Sequence, residues 1–135
     1  NLGGDCTNFT SQAIYAGSGV MNTKPTFGWY YHSLNHRAPA WTGVEFLYRF
    51  LVNNQGPGPV AVETDMSQIQ PGDIVQLSFD GKSFNHSPLV VAVGDPPAPD
   101  NILLAAHTYD TDYRPLDTYP YLLARFLHIT HVNTW

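Results

Sequence analysis

Gln70-Pro71-Gly72-Asp73-Ile74-Val75-Gln76-Leu77-Ser78-Phe79-Asp80-Gly81 is the stretch that decides the fold class. Its opening is a turn signature, Ile74 to Phe79 reads as a strand, and Asp80-Gly81 reads as a hairpin turn. The returning strand is His86-Ser87-Pro88-Leu89-Val90-Val91-Ala92-Val93, with Pro88 near its start, where a lost donor is tolerable. A strand that doubles back makes an antiparallel sheet. Downstream, the loop Gly94 to Asp100 holds three prolines and leads to a third strand, Ile102 to His107. A last strand, Arg125 to Val132, closes the chain.

Upstream the pattern is helical. Thr7 to Ala16 has helical apolar spacing and stops at Gly17-Ser18-Gly19. In the second helix Thr42 is the expected cap, Glu45 completes a capping box, and Val44, Leu47, Tyr48 and Leu51 form one stripe. Between the helices, Phe27-Gly28-Trp29-Tyr30-Tyr31-His32 has no clear period and reads as a long loop. Helices followed by an antiparallel sheet is an α+β arrangement. No repeat or linker divides the chain, so the expectation is one domain over residues 1–135.

Composition narrows the function classes. An apolar share of 43% and a charged share of 13% belong to a folded chain and not a disordered one. The net charge of −5 supplies no basic footprint for nucleic acid or an anionic membrane. No apolar run approaches the roughly 20 residues of a membrane span. The chain begins at Asn1 without methionine, which reads as a mature form or a cut domain. A single cysteine rules out an internal disulfide.

That cysteine sits in Gly3-Gly4-Asp5-Cys6-Thr7-Asn8-Phe9-Thr10-Ser11-Gln12-Ala13, where a glycine pair runs into a helix start with Asp5 and Thr7 as caps. A thiol in the first turn of a helix feels the positive end of the macrodipole and unpaired amides, which favour thiolate. The competing reading is a buried structural cysteine. The position favours Cys6 as a nucleophile.

Six histidines must be sorted. His32 and His36 are four apart, a metal-ligand spacing only on a helix, and nothing there is helical. His128 and His131, three apart in a strand, point to opposite faces. His86 opens an apolar strand at a sheet end, and His107 closes the next strand. Antiparallel neighbours bring those two positions together, as a site or as two satisfied structural histidines. No cofactor or metal is implied.

These residues resemble a known group. Asp5-Cys6-Thr7, Pro71-Gly72-Asp73-Ile74-Val75, the strand-opening His86 and Ala106-His107 resemble the NlpC/P60 and CHAP branch of papain-like cysteine hydrolases. The strings Asp5 to Ala13, Trp29-Tyr30-Tyr31 and Ala106-His107-Thr108 resemble more closely the bacterial Putative amidase domain of that superfamily. The resemblance implies a nucleophilic cysteine on the first helix, packed against an antiparallel sheet that carries the base. Carried over, these are Cys6 and His86, with His107 orienting the base and Asp110 as the alternative orienter. The loop before the last strand is longer than the family's usual hairpin. The implied substrate is an amide or peptide bond, in the stem peptides of the bacterial cell wall, with export as part of a longer precursor.

The Cys6 amide is an expected oxyanion donor, and Trp29, Tyr30 and Tyr31 are candidates for a substrate groove or for core packing. An acyl transferase using the same pair, and a silent binding module, are the other classes.

Overall fold

The computed structural model describes residues 2–106 and 113–135. Its first element, α1 (Leu2–Ser18), begins well before the expected start, so Asp5 and Thr7 are helix interior and not caps. A two-stranded ribbon follows, β1 (Tyr31–Ser33) with β2 (His36–Arg37), starting at the end of the segment expected to be loop. Then come α2 (Pro39–Thr42) and α3 (Val44–Asn53). Pro39 sits in the first turn of α2, where its missing N–H is harmless. That short helix absorbs Thr42 as its last residue, and Gly43 becomes the N-cap of α3 with no side-chain bond. The expected capping box therefore does not form. Glu45 turns to Arg125 instead, 3.2 Å away.

The remaining strands are β3 (Gly58–Thr64), β4 (Ile74–Ser78), β5 (Leu89–Val93), β6 (Ile102–Ala105), β7 (Arg114–Pro115) and β8 (Leu123–Asn133). They form one sheet in the order β3-β8-β4-β5-β6-β7, with every pair antiparallel. β3 was not expected as a strand; the run Gly56-Pro57-Gly58-Pro59 at its start masks the pattern. It occupies an edge, where a missing donor costs least. The chain is an α+β fold, as expected.

β4 is buried at every position, so it has no polar face. Ile74 joins a core with Trp29, Trp41, Leu47, Leu51 and Leu127, between the helices and the sheet. Val75 and Leu77 point the other way, into a second core with Val90, Ile102, Leu104 and Leu116. The alternation of β4 thus serves two cores at once.

The helix side is aromatic at its centre. Trp29 is fully buried; its ring lies 4.7 Å from Trp41 and stacks on Phe50 at 6.0 Å, and its Nε1 donates to Ser11 Oγ. Tyr30 is buried as well. The structure gives Trp29 and Tyr30 packing roles, away from solvent, while Tyr31 is half-buried against Trp41. Trp29→Ala is expected to lower stability by about 3–5 kcal/mol, the usual range for emptying such a site. The check is urea unfolding, where the midpoint should fall at an unchanged slope.

Candidate active site

α1 buries a face built from small polar residues. Cys6, Thr7, Thr10 and Ser11 are all fully buried, while Ala16 and Tyr15 face outward. The spacing 6, 7, 10, 11, 14 is one helical stripe. Short side chains let the helix approach closely, and their hydroxyls capture carbonyls from other segments. Thr10 Oγ1 donates to Ser87 O at 2.6 Å, and Ser11 Oγ donates to Trp41 O at 2.9 Å. Trp41 Nε1 returns a bond to Asn8 Oδ1. Thr7 Oγ1 is buried with no hydrogen-bond partner among the described residues, which costs stability.

Cys6 is the fifth residue of α1, one turn inside the helix. Its amide therefore has an intrahelical carbonyl partner four residues back, and the macrodipole has weakened by that depth. Both points correct the expectation that Cys6 occupies a helix start and offers a free oxyanion donor. Any activation of the thiol comes from across the fold.

His86 supplies that neighbour. It forms an isolated bridge to Leu77 just before β5, with Leu77 N donating to His86 O at 2.9 Å. Its Nε2 lies 3.9 Å from Cys6 Sγ, across 80 residues of chain. Cys6 has no exposed surface and His86 has 8%. The imidazole sits between two aromatic rings, Phe79 at 5.8 Å and Tyr119 at 5.6 Å between centroids. Arg114 stacks on the far ring, 3.9 Å from its centroid.

A buried network fixes the segment that bears His86. Gln76, on β4, donates from Nε2 to Ser87 Oγ and to Val44 O, both at 3.0 Å. Its Oε1 accepts from Arg125 Nε at 2.8 Å. Arg125 also stacks on Tyr48 and Phe84 and pairs with Glu45. Ser87 is thus held from both sides, by Thr10 on α1 and by Gln76 on the sheet. No sequence reading picked out Gln76 or Arg125. The available signal was an amide inside an otherwise apolar strand, since a buried polar group must find partners.

The loop between β4 and β5 is longer than a two-residue hairpin turn. Asp80 organises it, accepting backbone bonds from Lys82 and Ser83 and a bond from Ser78 Oγ. Those two backbone donors pull its carboxyl down to about 2. Asp73 of the Pro-Gly-Asp turn is buried and structural. Its carboxylate accepts from Gln70 N and Ile129 N and pairs with His128 Nδ1 at 2.8 Å. His131 bonds Thr130 beyond a bulge in the β3–β8 pairing. On the exposed ribbon His32 stacks on Tyr30 and His36 meets the same ring edge-on.

Pairing of Leu89 with Ala105 sets the start of β5 beside the end of β6. His107 and Asp110, the two candidate orienters, lie outside the described residues.

Among the described residues no helix is long and apolar enough to cross a membrane. A relative in Bacillus subtilis (strain 168), the uncharacterized protein YhbB, is 30% identical over 117 residues. That alignment covers 84% of this chain, which spans 36% of the relative's length. No solved structure matches the chain. A family model, Putative amidase domain, matches residues 1–130, nearly the whole length over which the helices and the sheet are laid out. The chain belongs to the Putative amidase domain family.

Proposed function

We propose that residues 1–135 form one amidase domain of the papain-like NlpC/P60–CHAP type, with Cys6 as nucleophile and His86 as acid–base partner. The observation that carries this reading is the 3.9 Å approach of Cys6 Sγ to His86 Nε2. Proton transfer from thiol to imidazole makes a thiolate–imidazolium pair. The thiolate adds to the amide carbonyl, the imidazolium protonates the leaving amine, and a thioester remains. Water, deprotonated by the now neutral His86, cleaves the thioester to a carboxylic acid and restores the thiol. His107 orients the ring of His86 in this scheme, and Asp110 is the alternative. The proposed substrates are amide bonds in bacterial cell-wall peptides.

The deciding measurement is the pH dependence of Cys6 alkylation by iodoacetamide. Reaction as a thiolate below neutral pH is expected, because a neighbouring imidazolium favours the charged sulfur. Burial slows the reaction and also opposes the charged forms, so a midpoint below neutral means that the thiolate–imidazolium attraction outweighs desolvation. A single titration at the ordinary cysteine value would falsify the nucleophile assignment and favour a silent binding module.

Gln76 and Ser87 act here as positioning residues. Gln76→Leu removes the partner of Ser87 Oγ and one of the partners of Arg125, which keeps Glu45, at a cost of about 1–3 kcal/mol for the buried hydroxyl left unpaired. The expected result is a displaced Cys6 alkylation midpoint together with lower kcat. Gln76→Glu keeps the acceptor for Arg125 but not the donor for Ser87, so it should recover stability more than kcat. An unshifted midpoint in folded Gln76→Leu would confine the network to a structural role.

A further inference from the structure

A second feature lies apart from Cys6 and His86. A cleft of about 640 Å³ opens at the C-terminal end of α3, a volume suited to a short peptide or similar ligand. The cleft runs along α3 from Phe46 to Asn53, and Cys6, His86, Gln76 and Ser87 do not line it. The cleft is therefore a separate place on the molecule.

Its lining reverses the sign of the chain. Lys24 and Arg49, two of six cations in a protein of net charge −5, line it, and no aspartate or glutamate does among the described residues. Neither cationic head has an ion pair or hydrogen bond among the described residues. The negative end of α3 lies nearby, but two full charges outweigh its half charge.

Apolar surface stands beside the cations. Phe27 is 74% exposed and Phe46 is 53% exposed, both on this cleft. Phe46 and Arg49 lie three apart on one face of α3. Phe27 is held out by a fixed loop. Asn22 and Trp29 exchange backbone bonds at 2.7 and 2.9 Å, and Gly28 N donates to Lys24 O. At Gly28 a Cβ would come within 2.3 Å of Asn22 O, so the loop accepts only glycine there. Thr26 adopts φ +68, a left-handed conformation that is costly for a β-branched residue. Strain of this kind clusters at ligand clamps.

We propose that this cleft binds an acidic peptide segment carrying an apolar side chain. Its carboxylates meet Lys24 and Arg49, and its apolar group lies against Phe27 and Phe46. A concave site of limited volume fits a discrete chain better than a bilayer, and the net charge of −5 opposes adsorption on an anionic membrane.

The test is an NMR titration of the folded chain with acetyl-Phe-Glu-Glu and, in parallel, with acetyl-Phe-Gln-Gln-amide. Saturable shifts are expected at residues 24–28 and 46–53, with the acidic peptide bound at least about fivefold more tightly. Lys24→Gln with Arg49→Gln changes two exposed heads, so it should fold normally and abolish that preference. Equal affinity for the two peptides, no saturable shift, or an undiminished preference in the double variant would overturn the proposal. So would binding to phosphatidylglycerol vesicles without binding to the peptide. None of these outcomes bears on Cys6 and His86, whose alkylation profile is measured separately.

Discussion

Cys6→Ala is expected to release no free amine from purified peptidoglycan under conditions where the parent chain does, a loss of roughly three orders of magnitude or more. The chain has one cysteine, so no other thiol can take over the covalent step. Alanine fits the space, because the neighbours of Cys6 on α1 are themselves held by Thr10 and Ser11 to Ser87 and Trp41. Amine release and thermal melting are measured on the same samples. A folded variant that keeps activity within about tenfold of the parent removes Cys6 from the chemistry. A parent chain that leaves peptidoglycan intact, yet shows thiolate reactivity at Cys6, refutes the cell-wall substrate and keeps the nucleophile.

The second large effect is expected from His86→Ala. In the pair, imidazolium stabilises thiolate, so removing the ring moves the onset of alkylation upward toward that of an isolated thiol. Turnover should fall by roughly 10²–10⁴, the usual worth of a positioned proton carrier. The same loss should appear at every pH in the range where the parent works. Phe79 and Tyr119 flank the ring, so the variant leaves a gap between them, and melting must be followed alongside. An unchanged Cys6 profile in a folded His86→Ala protein means that the two groups do not share a proton.

How much of this could be read from residue order varies with the element. The antiparallel β4–β5 and β5–β6 pairings were legible, because apolar runs are local signals, although Asp80-Gly81 is part of a longer loop and not a two-residue turn. α1 was legible as a helix but its inward face was not. Helical apolar spacing pointed to Phe9, Ala13, Ile14 and Ala16, of which Ile14 alone is buried; the rest of the buried stripe is Cys6, Thr7, Thr10 and Ser11. Small hydroxyl residues bury well only when carbonyls from other segments are offered, as Ser87 and Trp41 offer theirs. Thr42 met every local requirement of a cap, yet Pro39 had already begun another helix. Trp29 could have served a groove or a core, and only its contacts with Trp41 and Phe50 settled it.

By itself the sequence determined the α+β class, the antiparallel sense of the sheet, and the position of His86 ahead of an apolar strand. Each follows from period, turn residues and apolar runs, which act over a few residues. Tertiary structure alone decided that β8, last in the chain, lies between β3 and β4. It also decided that Arg125 therefore reaches Gln76, and that Gln76 fixes Ser87 beside His86. These are contacts between segments 11 to 49 residues apart. They depend on which strand fills the centre of the sheet, and that is a matter of burying apolar area over the whole fold, which no local pattern encodes.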